Sequence, residues 1–351
     1  MRTVHVVLPD GVDDVNRPSG GNVYDRRVCR GLAGLGWTVH EHVVPIGPGS
    51  PDAAGRTALT GAIRDLPAGS LVLVDGLVAA AMPDVLVAEA ERVRLVVLVH
   101  MVADGSDGGP KEEAECAVLP AAAAVITTSA WSRCRLLENY SLTATRIHVA
   151  RPGVDAAALA PGSPSGGRLT CVASLIPGKG HDALLSALGL VRDLSWTCVC
   201  VGSRVRDPEH ADRLRGQVSD SGLDDRVILA GPRTGRDLDA TYAATDLLVL
   251  ATRAESYGMV VPEALARGVP VLATSVGGVP EALVRLPDGS RPGLLVPADD
   301  PVAFAAALRC WLTDARLRES LREAARLSRP GLIPWTRTCK RVSAVLSEVA
   351  R

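Results

Sequence analysis

Apolar positions along the chain fall into two alternating patterns. Short runs rich in Val, Ile and Leu occur at 3–9 (TVHVVLP), 70–76 (SLVLVDG), 94–100 (RLVVLVH), 123–129 (AAVITTS) and 146–150 (RIHVA). Five more follow at 168–174 (RLTCVAS), 196–202 (WTCVCVG), 226–231 (RVILAG), 246–251 (DLLVLA) and 269–275 (VPVLATS). Runs that are nearly continuous in hydrophobicity predict parallel strands buried on both faces. Between them, apolar residues recur at helical spacing, as in Tyr24, Val28, Leu32 and Leu35 before Gly36, and in Leu184, Leu188 and Val191. Strands alternating with helices predict doubly wound α/β sheets.

A stretch rich in Pro, Gly, Ser and Ala, RPGVDAAALAPGSPSGGR (151–168), divides the strands into two sets and reads as an interdomain linker. The expected organisation is a Rossmann-like domain at 1–155, a second at 156–334, and a last helix at about 335–351 after two prolines. In open α/β sheets ligands bind beyond the carboxyl ends of the strands, so the residues just after each strand are the ones to inspect.

Composition narrows the partners. The 351 residues suit two domains, and a net charge of −1 creates no field that favours nucleic acid or an anionic membrane. Aromatic residues are only 3% of the chain, which argues against base-stacking platforms. No apolar run reaches the length of a membrane span, and the apolar run at the N-terminus is too short for a signal peptide. The eight cysteines lack CxxC spacing and read as free thiols in a reducing cytoplasm, with no cluster spaced for zinc.

Four post-strand segments carry candidate chemistry. In PSGGNVYDRR, Gly20 and Gly21 open a helix, where a backbone can approach an anionic ligand. The segment is not GxGxxG, which counts against a dinucleotide dehydrogenase. His100 directly follows a strand, as a ligand contact or a structural histidine, and the glycine-rich ADGSDGGPKEE (103–113) after it is a candidate closing loop. In VASLIPGKGHDALL, Lys179 is expected at a helix start, where a cation opposes the helix dipole unless an anion binds or water solvates it.

The fourth segment is RAESYGMVVPEALARGVP (253–270). Glu255 lies past a strand end, and Pro262 tolerates only a first helical turn, so the helix starts near Gly258 to Val261. The amides of Gly258, Met259 and Val260 then lack intrahelical partners. Seven residues separate Glu255 from Glu263, a span of ~12 Å at helical rise. Carboxylates accept from hydroxyls and amides donate to phosphate, so the segment suits a nucleotide sugar: sugar, diphosphate, ribose.

These residues resemble the retaining family 4 glycosyltransferases of GT-B fold. The resemblance rests on the KG of PGKG, on ESYGMVVPEALARGVPV as the E-x7-E segment, and on ATSVGGVPEAL after it. The SGGN loop, VLVH, VARPGVD, VPADDPVAFAAAL and PWTRT extend it over essentially the whole chain. It implies two Rossmann-like domains facing a cleft, the last helix crossing back onto the first. By resemblance, Glu263 binds the donor's ribose diol, Glu255 the sugar hydroxyls, and the amides of Gly258, Met259 and Val260 the distal phosphate or sugar. Lys179 neutralises the diphosphate, Gly20 and Gly21 approach it from the other domain, and His100 contacts the sugar near the reaction centre. Where the family usually has a second phosphate-binding arginine, this chain has Ser174; Arg253, Arg204 and Arg233 are candidate substitutes, and the helix amides sufficing alone is the alternative.

The implied activity is metal-independent, retaining transfer from a UDP- or GDP-sugar to a small soluble acceptor, with same-face attack and the leaving phosphate taking the acceptor's proton. No cofactor beyond the donor is expected, and peripheral membrane contact through WSRCRLLENY (131–140) is the weaker reading of a helix that packing explains equally well. Loops 9–22 and 102–113 carry no readable acceptor motif. A sugar-nucleotide epimerase or a non-catalytic nucleotide-sugar-binding protein of the same fold are the alternatives.

Overall fold

The computed structural model describes residues 2–46, 53–102 and 109–351. Its strands are β1 (Arg2–Pro9), β2 (Trp37–Val44), β3 (Leu71–Asp75), β4 (Arg94–Val99), β5 (Ala124–Thr127), β6 (Ile147–Val149), β7 (Arg168–Val172), β8 (Thr197–Val201), β9 (Val227–Gly231), β10 (Leu247–Leu250), β11 (Val271–Thr274) and β12 (Gly293–Val296). They form two six-stranded sheets, ordered β2-β1-β3-β4-β5-β6 and β12-β11-β10-β7-β8-β9. Every pairing is parallel.

Each of the ten apolar runs overlaps one of these strands. The pattern misses β2 and β12. Both lie at sheet edges, with partly exposed burial patterns. Edge position alone is not the reason, since the edge strands β6 and β9 fall within the runs. In β2, WTVHEHVV carries four polar residues, so it lacks the apolar continuity of a central strand.

The chain divides into two compact units. One comprises Met1–Asp13, Gly20–Gly153 and Ile333–Arg351; the other comprises Asp14–Ser19 and Val154–Leu332. In the first unit the sheet is covered on one face by a core containing Leu59, Ile63, Met82 and Leu86. The opposite face packs Val4, Val6 and Leu8 against Tyr24, Val28 and Leu32 of the helix Gly20–Gly34, together with Val342, Val345 and Leu346 of the helix Trp335–Val349. In the second unit the two faces are covered by clusters around Leu184, Leu188 and Trp311, and around Tyr242, Val261 and Leu265.

The terminal helix is tied into the first unit by polar contacts. Trp37 Nε1 donates to Ser343 Oγ at 2.9 Å, and Thr338 Oγ1 donates to the Arg151 carbonyl at 2.7 Å. Gly153 lies against the backbone of Trp335 so closely that a Cβ would collide with it. Gly153→Ala is therefore expected to destabilise this unit by about 1–3 kcal/mol. That should lower its melting temperature by about 2–4 °C per kcal/mol; an unchanged melting curve would show that the contact relaxes freely.

Candidate functional site

The second sheet reverses its winding between β7 and β10, which are neighbours although two strands separate them in the chain. Ligands of open α/β sheets bind at such a switch point. The loop after β7 carries Lys179 and the loop after β10 carries Glu255. Two glycines lay one loop on the other. The Gly178 carbonyl accepts from Arg253 N at 2.9 Å and Thr252 Oγ1 at 3.0 Å. Gly180 has φ +63°, and a Cβ there would collide with the Ala251 carbonyl. The result is an ion pair in which Lys179 Nζ donates to Glu255 Oε2 at 2.6 Å, with the two side chains 18% and 17% exposed.

The structure corrects the expected setting of Lys179. The lysine lies in a single 3-10 turn, Pro177–Lys179, and left-handed Gly180 separates that turn from the helix His181–Gly189. Lys179 therefore does not begin the helix, and its charge is countered directly by Glu255.

Glu255 is fixed from below. Gly278 N donates to its carbonyl at 2.9 Å, and a Cβ on Gly277 would collide with the same oxygen. The glycines of ATSVGGVPEAL thus shape the Glu255 loop. Gly258 has φ +85°, and the helix Val260–Ala266 starts with Met259 at its cap and Pro262 in its first turn. The segment from Glu255 to Met259 is non-helical, so the ~12 Å helical span does not describe the separation of the two glutamates.

Glu263 is half-buried beneath Tyr242, whose hydroxyl donates to Glu263 Oε2 at 2.8 Å. The Arg267 guanidinium lies 4.7 Å from the Tyr242 ring centroid, and its Nη1 donates to the Glu263 carbonyl at 2.9 Å. Burial raises the Glu263 pKa and outweighs the opposing effects of the Tyr242 hydrogen bond and the Arg267 charge. A hydroxyl-bearing ligand donating to the carboxylate would offset that cost.

The three arginines that could replace the missing one divide by engagement. Arg253 forms a two-bond pair with Asp182 at 2.8 and 2.7 Å and contacts Asp299 at 2.6 Å. Arg233 donates to Thr241 Oγ1 at 2.7 Å. Arg204 is exposed and lies over Gly231. Sequence reasoning missed a different pair. The Leu175 amide donates to the Ser203 carbonyl at 2.9 Å, which places the end of β8 beside Ser174. Ser203 Oγ donates to the Asn16 carbonyl at 2.7 Å, and Arg206 Nη2 lies 3.5 Å from the Arg17 carbonyl. Burial and the Arg17 charge both lower the Arg206 pKa. No carboxylate pairs with Arg17 or Arg206 among the described residues.

In the first unit, Gly20 and Gly21 begin the helix Gly20–Gly34, and His100 follows β4. A Cβ on Gly21 would lie 3.2 Å from the His100 ring, so the glycine allows close approach. His100 Nε2 lies 2.8 Å from Asp25 Oδ1 and 3.3 Å from Asp75 Oδ2, and Tyr24 packs edge-on against the ring at 5.2 Å. Asp75 also caps the helix Gly76–Ala81 through Leu77 N. Both aspartates are almost fully buried. Neither was legible as a partner of His100, because 75 and 25 residues of chain separate them from it. Residues 103–108 of the candidate closing loop, which fall within both 103–113 and 102–113, lie outside the described residues.

Burial alone would lower the His100 pKa, but the two carboxylates, Asp25 foremost, outweigh it and push it up to about 10. Burial pushes Asp25 up to about 6, while the hydrogen bond and charge of His100 outweigh burial at Asp75 and hold it down. A raised histidine pKa contributes stability that is fully present below the unfolded value of about 6.5 and lost as pH rises through the folded value. The Asp25 and Asp75 contributions change at lower pH. The melting temperature is therefore expected to fall between pH 6.5 and about 10, and His100→Gln should flatten that slope. An identical slope in the variant would contradict the assignment.

The chain resembles known proteins in both sequence and architecture. Residues 166–314 match the family described as "Glycosyl transferases group 1". The chain is 35% identical over 240 residues to a D-inositol 3-phosphate glycosyltransferase of Salinispora tropica, covering 61% of this chain and 48% of that protein. It is 31% identical over 288 residues to D-inositol 3-phosphate glycosyltransferase 1 of Catenulispora acidiphila, covering 74% and 68%. The chain spans about half the length of the first of these and of a Jonesia denitrificans relative with the same name. Among solved structures, sucrose-phosphate synthase from Thermosynechococcus elongatus aligns with a TM-score of 0.80 at 20% identity, over 99% of both chains. Anabaena Alr3699/HepE in complex with UDP-glucose aligns at 0.75 and 19% identity, over 98% of this chain and 99% of that one. These likenesses show the fold, the GT-B class with two Rossmann-like parallel sheets. Among the described residues, no helix is long and apolar enough to cross a membrane.

Proposed function

This chain belongs to the group 1 glycosyl transferases, and on that premise we propose that it moves a sugar from a nucleoside diphosphate sugar to a small soluble acceptor with retention at the anomeric carbon. The observation that carries the reading is the Lys179–Glu255 pair at the switch point of the second sheet, followed along the chain by Glu263 on the next helix. A cation, a carboxylate for sugar hydroxyls and a carboxylate for a ribose diol suit the parts of such a donor.

In this reading Glu255 holds Lys179 in place until the donor arrives. Lys179 then meets the diphosphate, on whose leaving oxygen charge grows in the transition state. The amides of Gly258, Met259 and Val260 add donors for the distal phosphate. Arg17 and Arg206 supply the positive charge that Ser174 does not, because Arg253 and Arg233 are already engaged within the unit. Glu263 orients the ribose and leaves the chemistry to others. The leaving phosphate accepts the acceptor's proton, so no enzymatic nucleophile is assigned. The positive groups do this work without a metal ion, and we place the reaction in the cytoplasm.

The relatives' name directs the acceptor choice to a small polyol phosphate, with inositol 3-phosphate the first compound to test. The donor is found by a thermal-shift screen of UDP- and GDP-sugars in EDTA, because a ligand that binds only the folded chain raises its apparent stability. One nucleotide series should raise the melting temperature. A screen in which none does would contradict the reading.

A further inference from the structure

We propose that His5, His40 and His42 form a three-imidazole site for a borderline divalent transition-metal ion, of the Zn2+ and Ni2+ class, on the edge of the first sheet. The sequence alone shows only the pair His40 and His42, because the third ligand comes from another strand. β1 and β2 are parallel and in register, and His5 is the partner of His40. Side chains two residues apart on a strand share a face, so His40 and His42 project together beside His5.

The rings already lie together. His5 Nδ1 and His42 Nε2 share a hydrogen bond at 3.1 Å, whose proton an ion would displace, and the His5 ring stacks 5.0 Å from that of His40 and 5.3 Å from that of His42. Two nitrogens bound at about 2.0–2.1 Å to one tetrahedral ion would be about 3.3 Å apart, close to the His5–His42 separation. His40 is exposed, so a side-chain rotation is open to it and can bring a third nitrogen in. The fourth position is left to water. A cavity of ≈ 330 Å3 lined by His5, Thr3, Pro67, Ser70 and Leu71 opens beside the cluster.

The donor chemistry selects the ion. A neutral imidazole offers one ring nitrogen lone pair to a borderline ion. Glu41, between His40 and His42, faces the other way by strand alternation and pairs with Arg26. Imidazole nitrogens without carboxylates suit Zn2+, Ni2+ or Cu2+ and leave Mg2+ and Ca2+ without their preferred oxygens. His5 lies in the first half of β1, away from the strand ends where the donor reading is built, so the site stands or falls independently of that reading. A bound ion would clip edge strand β2 to β1.

The test uses untagged full-length chain stripped with EDTA. It is titrated with ZnCl2 against a chromophoric chelator and, separately, with NiCl2. One Zn2+ per chain should bind, and Mg2+ in excess should not displace it. His40→Ala and His42→Ala should each weaken binding by at least the ~10–100-fold that loss of even an outer-shell partner costs. Zn2+ should raise the melting temperature of the parent chain and not of the His40→Ala/His42→Ala double variant. Because His40 is exposed, its variant should melt like the metal-free parent, which separates lost ligation from lost folding. His148→Ala, on β6, should bind as the parent does. Absence of stoichiometric Zn2+ binding, equal affinity in the double variant, or displacement by Mg2+ would overturn the proposal.

Discussion

Replacing Lys179 with alanine is expected to lower kcat by about 10²–10³, the cost of removing one preorganised donor from a site of developing negative charge. The effect should fall on kcat more than on KM, because charge on the leaving diphosphate grows as the bond breaks. Glu255→Ala should also lose most turnover, by two routes. It removes the partner that fixes Lys179 Nζ at 2.6 Å and an acceptor for the donor sugar. If the two residues act as a unit, the double variant should be little worse than the poorer single variant. Steady-state kinetics of the three variants decides this. An unchanged kcat in Lys179→Ala would shift the phosphate role to Arg17 and Arg206.

Replacing Glu263 with alanine is expected to weaken donor binding with little change in kcat. A hydrogen bond to a charged group is worth about 1.5–3 kcal/mol, or roughly 10- to 150-fold in affinity. The substitution also leaves the buried Tyr242 hydroxyl without its acceptor, so some loss of stability is expected. Glu263→Gln separates the two effects, since its carbonyl still accepts from Tyr242 while the charge is gone. Isothermal titration with the nucleoside diphosphate should show Glu263→Gln stable but weak-binding. Parental affinity in that variant would remove Glu263 from the donor site.

The parts of this protein that were legible in its sequence share a physical cause. Most strands are apolar enough that their runs stand out, whereas β2 is interrupted by Thr38, His40, Glu41 and His42, and β12 is a four-residue strand, Gly-Leu-Leu-Val, too short to stand out. Pro262 placed the start of the helix near Gly258 to Val261, and it begins at Val260, because proline is tolerated only in a first turn. What stayed hidden depends on contacts between distant segments. Nothing in the spacing of Lys179 and Glu255 shows that they touch; the sheet order that makes β7 and β10 neighbours brings them together. The same holds for Tyr242 on Glu263, for Asp25 and Asp75 around His100, and for Arg206 beside Arg17. Gly180 changed the expected setting of Lys179, since its left-handed turn delays the helix until His181.

The central claim is sugar transfer, and acceptor-dependent release of the nucleoside diphosphate tests it most directly. The donor found by thermal shift is incubated with the chain in EDTA, with and without inositol 3-phosphate and a panel of other small polyol phosphates. The account predicts that nucleoside diphosphate appears with acceptor and in step with a new glycoside. Release of free nucleotide together with a changed sugar and no need for acceptor would contradict it in favour of an epimerase. Tight donor binding with no release under any condition would contradict it in favour of a binding protein.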